Sequence, residues 1–220
     1  LFLKDISIIE KLQPEIIIQF GRASVNNSVL DYYKNSKCTK ILVNEFGDLN
    51  DPSKIAEKII KMKPANFCNE ILKFVKEKEV GIDSEWLEGF KLIDEKTEII
   101  KNNFLEEADL SFEGKVVHNI INNLPENCNL IIGNSMSIRD FELFTGKTTK
   151  RLNIYSNRGA SGIDGLISTA LGISAASDNP TFLLIGDMSF VHDLNALVSA
   201  SMLKIPLNIL LINNNGGHIF

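Results

Sequence analysis

The sequence predicts an α/β protein: a doubly wound parallel sheet, preceded by part of a second, Rossmann-like α/β unit. Three observations predict it. Apolar runs of six to eight residues, rich in Ile, Leu and Val, alternate with stretches of helical spacing along most of the chain. Charge is uneven: residues 1–110 hold 16 basic and 20 acidic side chains, whereas residues 111–220 hold 7 and 8. Such a fall is expected where parallel strands are covered on both faces by helices. Two successive runs in the second half also end in polar groups, one in Asp187 and the next in three asparagines. Open α/β sheets gather their ligands outside the carboxyl ends of the strands.

The elements follow in order. "EIIIQF" (15–20) and "KILVNEF" (40–46) read as strands, and "VNNSVLDYYKN" (25–35) between them as a helix, which makes a βαβ unit. Helical spacing continues over 52–63 and 65–78. A longer helix follows, carrying Trp86, Phe90, Ile93, Thr97, Ile100 and Phe104 at steps of four and three. Residues 1–80 are therefore read as part of a middle Rossmann-like domain, 81–110 as a helical connector, and 111–220 as the second α/β domain. That domain alternates a helix at 112–124, a strand at 129–134, a helix at 137–144 and a strand at 151–157. A small-residue helix at 162–177, a strand at 181–187, a helix at 193–203 and a strand at 206–213 complete it.

Composition excludes several functions. At 220 residues and 44% hydrophobic the chain can bury more than one core, and its net charge of −5 offers no basic face for nucleic acid. No apolar run approaches the ~20 residues of a membrane span, and no signal peptide is visible. Cys38, Cys68 and Cys128 are odd in number and lack a C-x-x-C pattern, as expected of reduced thiols in the cytoplasm. Leu1 stands where Met would open a chain and Phe220 follows directly on a loop, so a piece of a larger protein is expected.

The chemistry is concentrated in "LLIGDMSFVHDLNAL" (183–197) and "PLNILLINNNGG" (206–217). If the two strands are neighbours in one right-handed crossover, Asp187 and Asn213–Gly216 meet on one sheet edge. A carboxylate, an amide oxygen and a loop carbonyl are hard ligands suited to Mg²⁺, which completes its shell with water and phosphate oxygens. Gly216 and Gly217 let the backbone approach such a ligand closely. The competing reading is an Asp that caps the next helix and Asn residues that make a turn.

The Gly186-Asp187-Met188 stretch, with Asn213-Asn214 beginning 26 positions after Asp187, resembles the thiamine diphosphate-binding fold. Met replaces the second Gly of that fold's usual Gly-Asp-Gly. "GNSMSIR" (133–139), "SNRGASGIDGLISTALG" (156–172), "GDMSFVHDLNAL" (186–197) and "NNNGGHIF" (213–220) narrow the resemblance to one family. These stretches resemble the 2-succinyl-5-enolpyruvyl-6-hydroxy-3-cyclohexene-1-carboxylate synthases, in which a bulky apolar residue takes that third place. The resemblance is dense from 129 to 220 and only architectural before that.

It implies a cytoplasmic transferase of menaquinone or phylloquinone synthesis, a homodimer or dimer of dimers, without partners among nucleic acids. The implied reaction decarboxylates 2-oxoglutarate and adds the succinyl carbanion to isochorismate. Thiamine diphosphate is the implied cofactor, with Mg²⁺ or Mn²⁺ held by Asp187, Asn214 and the carbonyl of Gly216. Gly186, Met188 and Ser189 would lie at the diphosphate, and Ile163 would prop the bent cofactor. Ser135, Arg139, Arg158, Ile219 and Phe220 would bind substrate; Arg151 matches no functional position. Both substrates are dicarboxylates, and Arg supplies a bidentate fork that Lys cannot.

The family's catalytic Glu lies on a pyrimidine-binding domain missing here, so these 220 residues alone are expected to be inactive. Asp164 and Asp193 fall at expected helix starts, where capping accounts for them. His118 and His192 read as surface or cap residues, and His218 matches no general base. In the middle domain the family carries a substrate Lys; here Asn27 stands near that position and Arg22 close by. The main alternative is another thiamine diphosphate enzyme, of the acetolactate synthase or 2-oxoacid decarboxylase group. A non-catalytic nucleotide-binding module is the reading from a different class.

Overall fold

A computed structural model describes residues 2–24, 26–78, 84–157 and 159–217. It divides the chain into two units, 1–100 and 101–220. The first contains α1 (Ile6–Lys11), β1 (Ile16–Phe20), α2 (Asn27–Asn35), β2 (Thr39–Asn44), β3 (Ala56–Lys61) and α3 (Pro64–Lys78). Its strands form a parallel sheet in the order β1-β2-β3. The helix expected at 25–35 begins two residues later because Asn26 caps it, its Oδ1 accepting from the backbone N–H of Ser28 at 2.9 Å. The division at residue 100 falls inside α4 (Ser84–Glu107), a 24-residue helix that occupies most of the expected connector.

One element departs from the sequence reading. The stretch expected as a helix at 52–63 holds the strand β3, paired with β2 in the register Leu42↔Ile59 and Val43↔Ile60. Ile55 and Ile59, like Ala56 and Ile60, are four apart, which reads as a helical stripe. Pairing to a buried neighbour overrides that local pattern, and as an edge strand β3 tolerates charged side chains on its open face. Asp51 aims the chain into the strand, its Oδ2 accepting from the N–H groups of Ile55 and Ala56 at 2.8 and 2.7 Å.

The same carboxylate holds a charge that the sequence reading passed over. Lys40 on β2 is fully buried, and its Nζ lies 2.6 Å from Asp51 Oδ1 and 2.8 Å from Ser53 Oγ. The ammonium also sits 4.8 Å from the centroid of the Tyr33 ring. A buried ammonium persists only with partners of this kind.

The second unit contains α5 (Glu113–Asn123), β4 (Cys128–Ile132), α6 (Met136–Phe144), β5 (Leu152–Ser156) and α7 (Leu166–Ala175). It continues with β6 (Thr181–Gly186), α8 (Asp187–His192), α9 (Ala196–Leu203) and β7 (Asn208–Ile212). All four strands are parallel, in the order β5-β4-β6-β7. Alternate residues of the central strands build two cores. Ile131, Leu183 and Ile185 pack with Leu166, Ile167 and Ala170 of α7, whereas Leu130, Ile132 and Leu184 pack with Val117 and Ile121 of α5. Burial on both faces explains the unbroken apolar runs of these strands. Each fully buried Leu or Ile contributes about 1.5–3 kcal/mol over an exposed one.

Two further differences matter for the site. The helix expected from 162 begins at Leu166, after Gly165 in a left-handed conformation (φ +68°), so Ile163 lies on a loop. A short helix, α8, starts at Asp187 directly after β6, before the helix expected at 193–203. All three cysteines are free, and among the described residues no helix is long and apolar enough to cross a membrane.

Candidate active site

The strand order reverses direction between β4 and β6: the chain passes from β4 to β5 on one side and reaches β6 and β7 on the other. Loops diverge there and leave a crevice beyond the carboxyl ends. The cavity at this point has a volume of about 190 Å³. Asn134, Ser135, Met136 and Ser137 line it from the end of β4; Gly186, Asp187, Met188 and Ser189 from the end of β6; and Ile212, Asn214 and Gly217 from the end of β7. Ile163, on the loop before α7, and Glu113, the first residue of α5, complete it.

Local geometry explains why these side chains converge. Gly133 ends β4 so close to β6 that an added Cβ would lie 3.0 Å from the carbonyl oxygen of Leu184. Its N–H donates to that oxygen at 2.7 Å. The next turn holds Ser135 at φ +66°, a conformation a non-glycine residue rarely adopts and that persists where its surroundings impose it. Asn134, 4% exposed, donates from Nδ2 to the carbonyl of Gly162 at 2.6 Å and so ties the β4 turn to the loop bearing Ile163.

The ends of β6 and β7 are joined by hydrogen bonds. Asp187 Oδ2 accepts from the N–H of Gly216 at 2.7 Å, and Oδ1 accepts from the N–H of Met188 at 2.7 Å. Gly216 has φ +106°, open to glycine and strained for other residues. Asn214 donates from Nδ2 to Glu113 Oε1 at 3.2 Å. A carboxylate, an amide oxygen and a peptide carbonyl thus lie within one loop cluster, a hard-oxygen set that fits Mg²⁺ or Mn²⁺ with phosphate and water completing the shell. Among the described residues no group of three or more His, Cys, Asp and Glu converges, as a softer metal would ask.

Of the other expected site residues, Arg139 is not among those lining the cavity. Arg139 is exposed on α6, one turn beyond Ser135, with Nη1 3.9 Å from the sulfur of Met136. Arg158, Ile219, Phe220 and His218 lie outside the described residues. Arg151 precedes β5, at the amino end of the sheet away from the cavity, and its N–H donates to Glu126 at 3.1 Å. His118 bonds through Nδ1 to the carbonyl of Phe144 at 2.8 Å, and His192 ends α8. Asp193 was expected to cap its own helix; instead its carboxylate accepts from the N–H and hydroxyl of Ser168 in the first turn of α7. Gly165, not Asp164, is the residue that enters α7. In the first unit, Arg22 lines a separate cavity at the ends of β1 and β2, and Asn27 is the first residue of α2.

Sequence reasoning gave no role to five residues of the cavity: Glu113, Asn134, Met136, Ser137 and Ile212. Asn134 sits inside the quoted "GNSMSIR" stretch, where a polar residue directly after a buried strand was the available signal. Glu113 gave none, because an acidic residue in the first turn of a helix is ordinary chemistry. Behind it, Asp140 on α6 is 4% exposed. Burial, and then the charge of Glu113, push its carboxyl up to about 6 against the opposing pull of Arg139.

Residues 142–219, which include the ends of β6 and β7, match the family model described as thiamine pyrophosphate enzyme, C-terminal TPP binding domain. The parallel α/β architecture of the second unit agrees with a thiamine diphosphate-binding fold. Over its whole length the chain is also similar to curated proteins named 2-succinyl-5-enolpyruvyl-6-hydroxy-3-cyclohexene-1-carboxylate synthase. The protein of Bacillus velezensis is 38% identical over 224 residues, covering 100% of this chain and 37% of that protein. That of Bacillus cytotoxicus is 36% identical, again over 100% of this chain and 37% of the relative. That of Geobacillus thermodenitrificans is 36% identical over 99% of this chain and 36% of the relative. The chain spans little more than a third of the length of these relatives.

Proposed function

We propose that the chain supplies the diphosphate-binding domain, and part of the middle domain, of a thiamine diphosphate-dependent transferase. That enzyme decarboxylates 2-oxoglutarate and adds the succinyl unit to isochorismate, giving 2-succinyl-5-enolpyruvyl-6-hydroxy-3-cyclohexene-1-carboxylate for menaquinone or phylloquinone synthesis. The observation that carries this reading is the oxygen-lined cavity at the strand-order reversal, in a chain whose full-length relatives bear that name.

Asp187, Asn214 through its amide oxygen, and Gly216 through its carbonyl hold Mg²⁺ or Mn²⁺ in this reading. Ser189, Met188 and Gly186 face the diphosphate. When bound, the cofactor supplies the electron sink that makes loss of CO₂ from a 2-oxoacid possible. Ile163 packs against the cofactor from the loop before α7. Ser135 offers its hydroxyl, and Arg139 and Arg158 their planar forks, to the substrate carboxylates. Ile219 and Phe220 are assigned to substrate binding in the same reading. In the family that the sequence resembles, the acid at the cofactor is a Glu of another domain, and this reading places it outside these residues. A homodimer, or a dimer of dimers, in the cytoplasm is the corresponding assembly.

The complete enzyme carrying these residues, given thiamine diphosphate and Mg²⁺, is expected to form the succinyl adduct from 2-oxoglutarate and isochorismate and to leave pyruvate unconsumed. Acetolactate or acetaldehyde from pyruvate, with no adduct from isochorismate, would move the chain to the acetolactate synthase or decarboxylase group.

A further inference from the structure

We infer that Glu113 is a positioning residue that fixes which end of the Asn214 amide faces the metal. This rests on the proposed role of Asn214 as a metal ligand. The two residues are 101 positions apart in sequence, yet both line the cavity and meet at 3.2 Å, Asn214 Nδ2 donating to Glu113 Oε1. An Asn amide is nearly symmetric in shape, so packing alone does not distinguish its oxygen from its nitrogen. Only the oxygen ligates a cation; the NH₂ end, turned toward the metal, repels it. An ionised carboxylate accepts and never donates, so the end facing Glu113 is the nitrogen and the oxygen lies at the opposite end.

A hydroxyl or an amide at position 113 could bond either end of Asn214 and would specify the orientation less strictly. The location of Glu113 in the first turn of α5 gives its charge a second use at the helix terminus. That use is local to α5 and predicts no effect on a metal held at the ends of β6 and β7. Orienting partners behind metal ligands typically cost about 10–100-fold in affinity when removed.

The test measures Mn²⁺ affinity by electron paramagnetic resonance in the complete protein saturated with thiamine diphosphate. Glu113→Ala is expected to weaken Mn²⁺ by about 10–100-fold. Glu113→Gln, whose amide oxygen can still accept from Asn214 but whose NH₂ can also face it, should recover part of that loss although it too lacks the charge. With Asn214→Asp, where both ends of the side chain are oxygen, adding Glu113→Ala should cost nothing. Equal losses in Glu113→Ala and Glu113→Gln would mean that charge alone acts, and would overturn the inference. The same loss from Glu113→Ala with Asp at 214 would overturn it as well. Asn214→Ala separates the two levels: unchanged Mn²⁺ affinity there removes Asn214 as a ligand, and both readings fall. If Asn214→Ala loses the metal while Glu113→Ala keeps it, only the role of Glu113 falls.

Discussion

Asp187→Ala is expected to abolish Mg²⁺-dependent binding of thiamine diphosphate while the secondary structure stays intact. Two roles are lost together in that variant. The anionic ligand of the proposed metal disappears, and so does the carboxylate that holds the Gly216 N–H at 2.7 Å and thereby joins the ends of β6 and β7. Cofactor affinity should fall by more than the ~10–100-fold that removal of an outer partner costs. Little stability is at stake, because the side chain is only half-buried and contributes no volume to either core. The released Gly216 N–H is solvent-accessible, so losing its bond costs at most about 1 kcal/mol. Circular dichroism checks the fold and calorimetry the affinity; unchanged calorimetric binding would remove Asp187 from the site.

Asp51→Ala should destabilise the first unit by about 3–5 kcal/mol, the range for leaving one partner of a buried ion pair behind. Lys40 then keeps a fully buried ammonium whose nearest anion is gone. Replacing both partners with apolar residues of similar volume, as in Lys40→Met with Asp51→Leu, should recover much of that loss. The pair also predicts a pH dependence. Burial works to raise the Asp51 carboxyl, but hydrogen bonds from Lys40, Ser53 and the N–H of Ala56 outweigh it and hold the group well below the usual carboxylate range. A depressed carboxyl stabilises the fold above its unfolded value of about 3.9 and loses that contribution as pH falls toward the folded value. Urea denaturation should therefore show a gap between wild type and Asp51→Ala that is constant near neutrality and narrows below about pH 4. A gap that widens on acidification would contradict this account of the pair.

The fold of the second unit was legible because its central strands, β4 and β6, are buried on both faces, so their apolar runs carry no competing period. "TFLLIGD" and "PLNILLIN" are neighbours in the sheet, and their ends meet as their spacing suggested. β3 was not legible: an edge strand keeps one face polar, and Ile55 just before it falls four residues from Ile59, by coincidence with a helical stripe. The reach of Asp51 to Lys40 was hidden for another reason. Neither residue is unusual locally, and the pair exists only once β2 and the segment before β3 are side by side. Within the cavity, residues next to strand ends could be placed from sequence, since topology sends them to one edge. Glu113 could not, because it arrives from the start of α5, and nothing in its own neighbourhood marks the bond to Asn214. Asp193 shows the same limit, for a helix-start carboxylate gave no sign that it would serve the first turn of α7.

The central claim is that the ends of β6 and β7 together hold a divalent metal that anchors a diphosphate. Crystals of the complete protein grown with Mn²⁺ and thiamine diphosphate test it most directly, through the anomalous scattering of manganese. The account predicts one strong peak in the cavity, within about 2.0–2.4 Å of an Asp187 carboxylate oxygen, the Asn214 amide oxygen and the Gly216 carbonyl oxygen. Clear density for the cofactor with manganese bound away from those three atoms would contradict it.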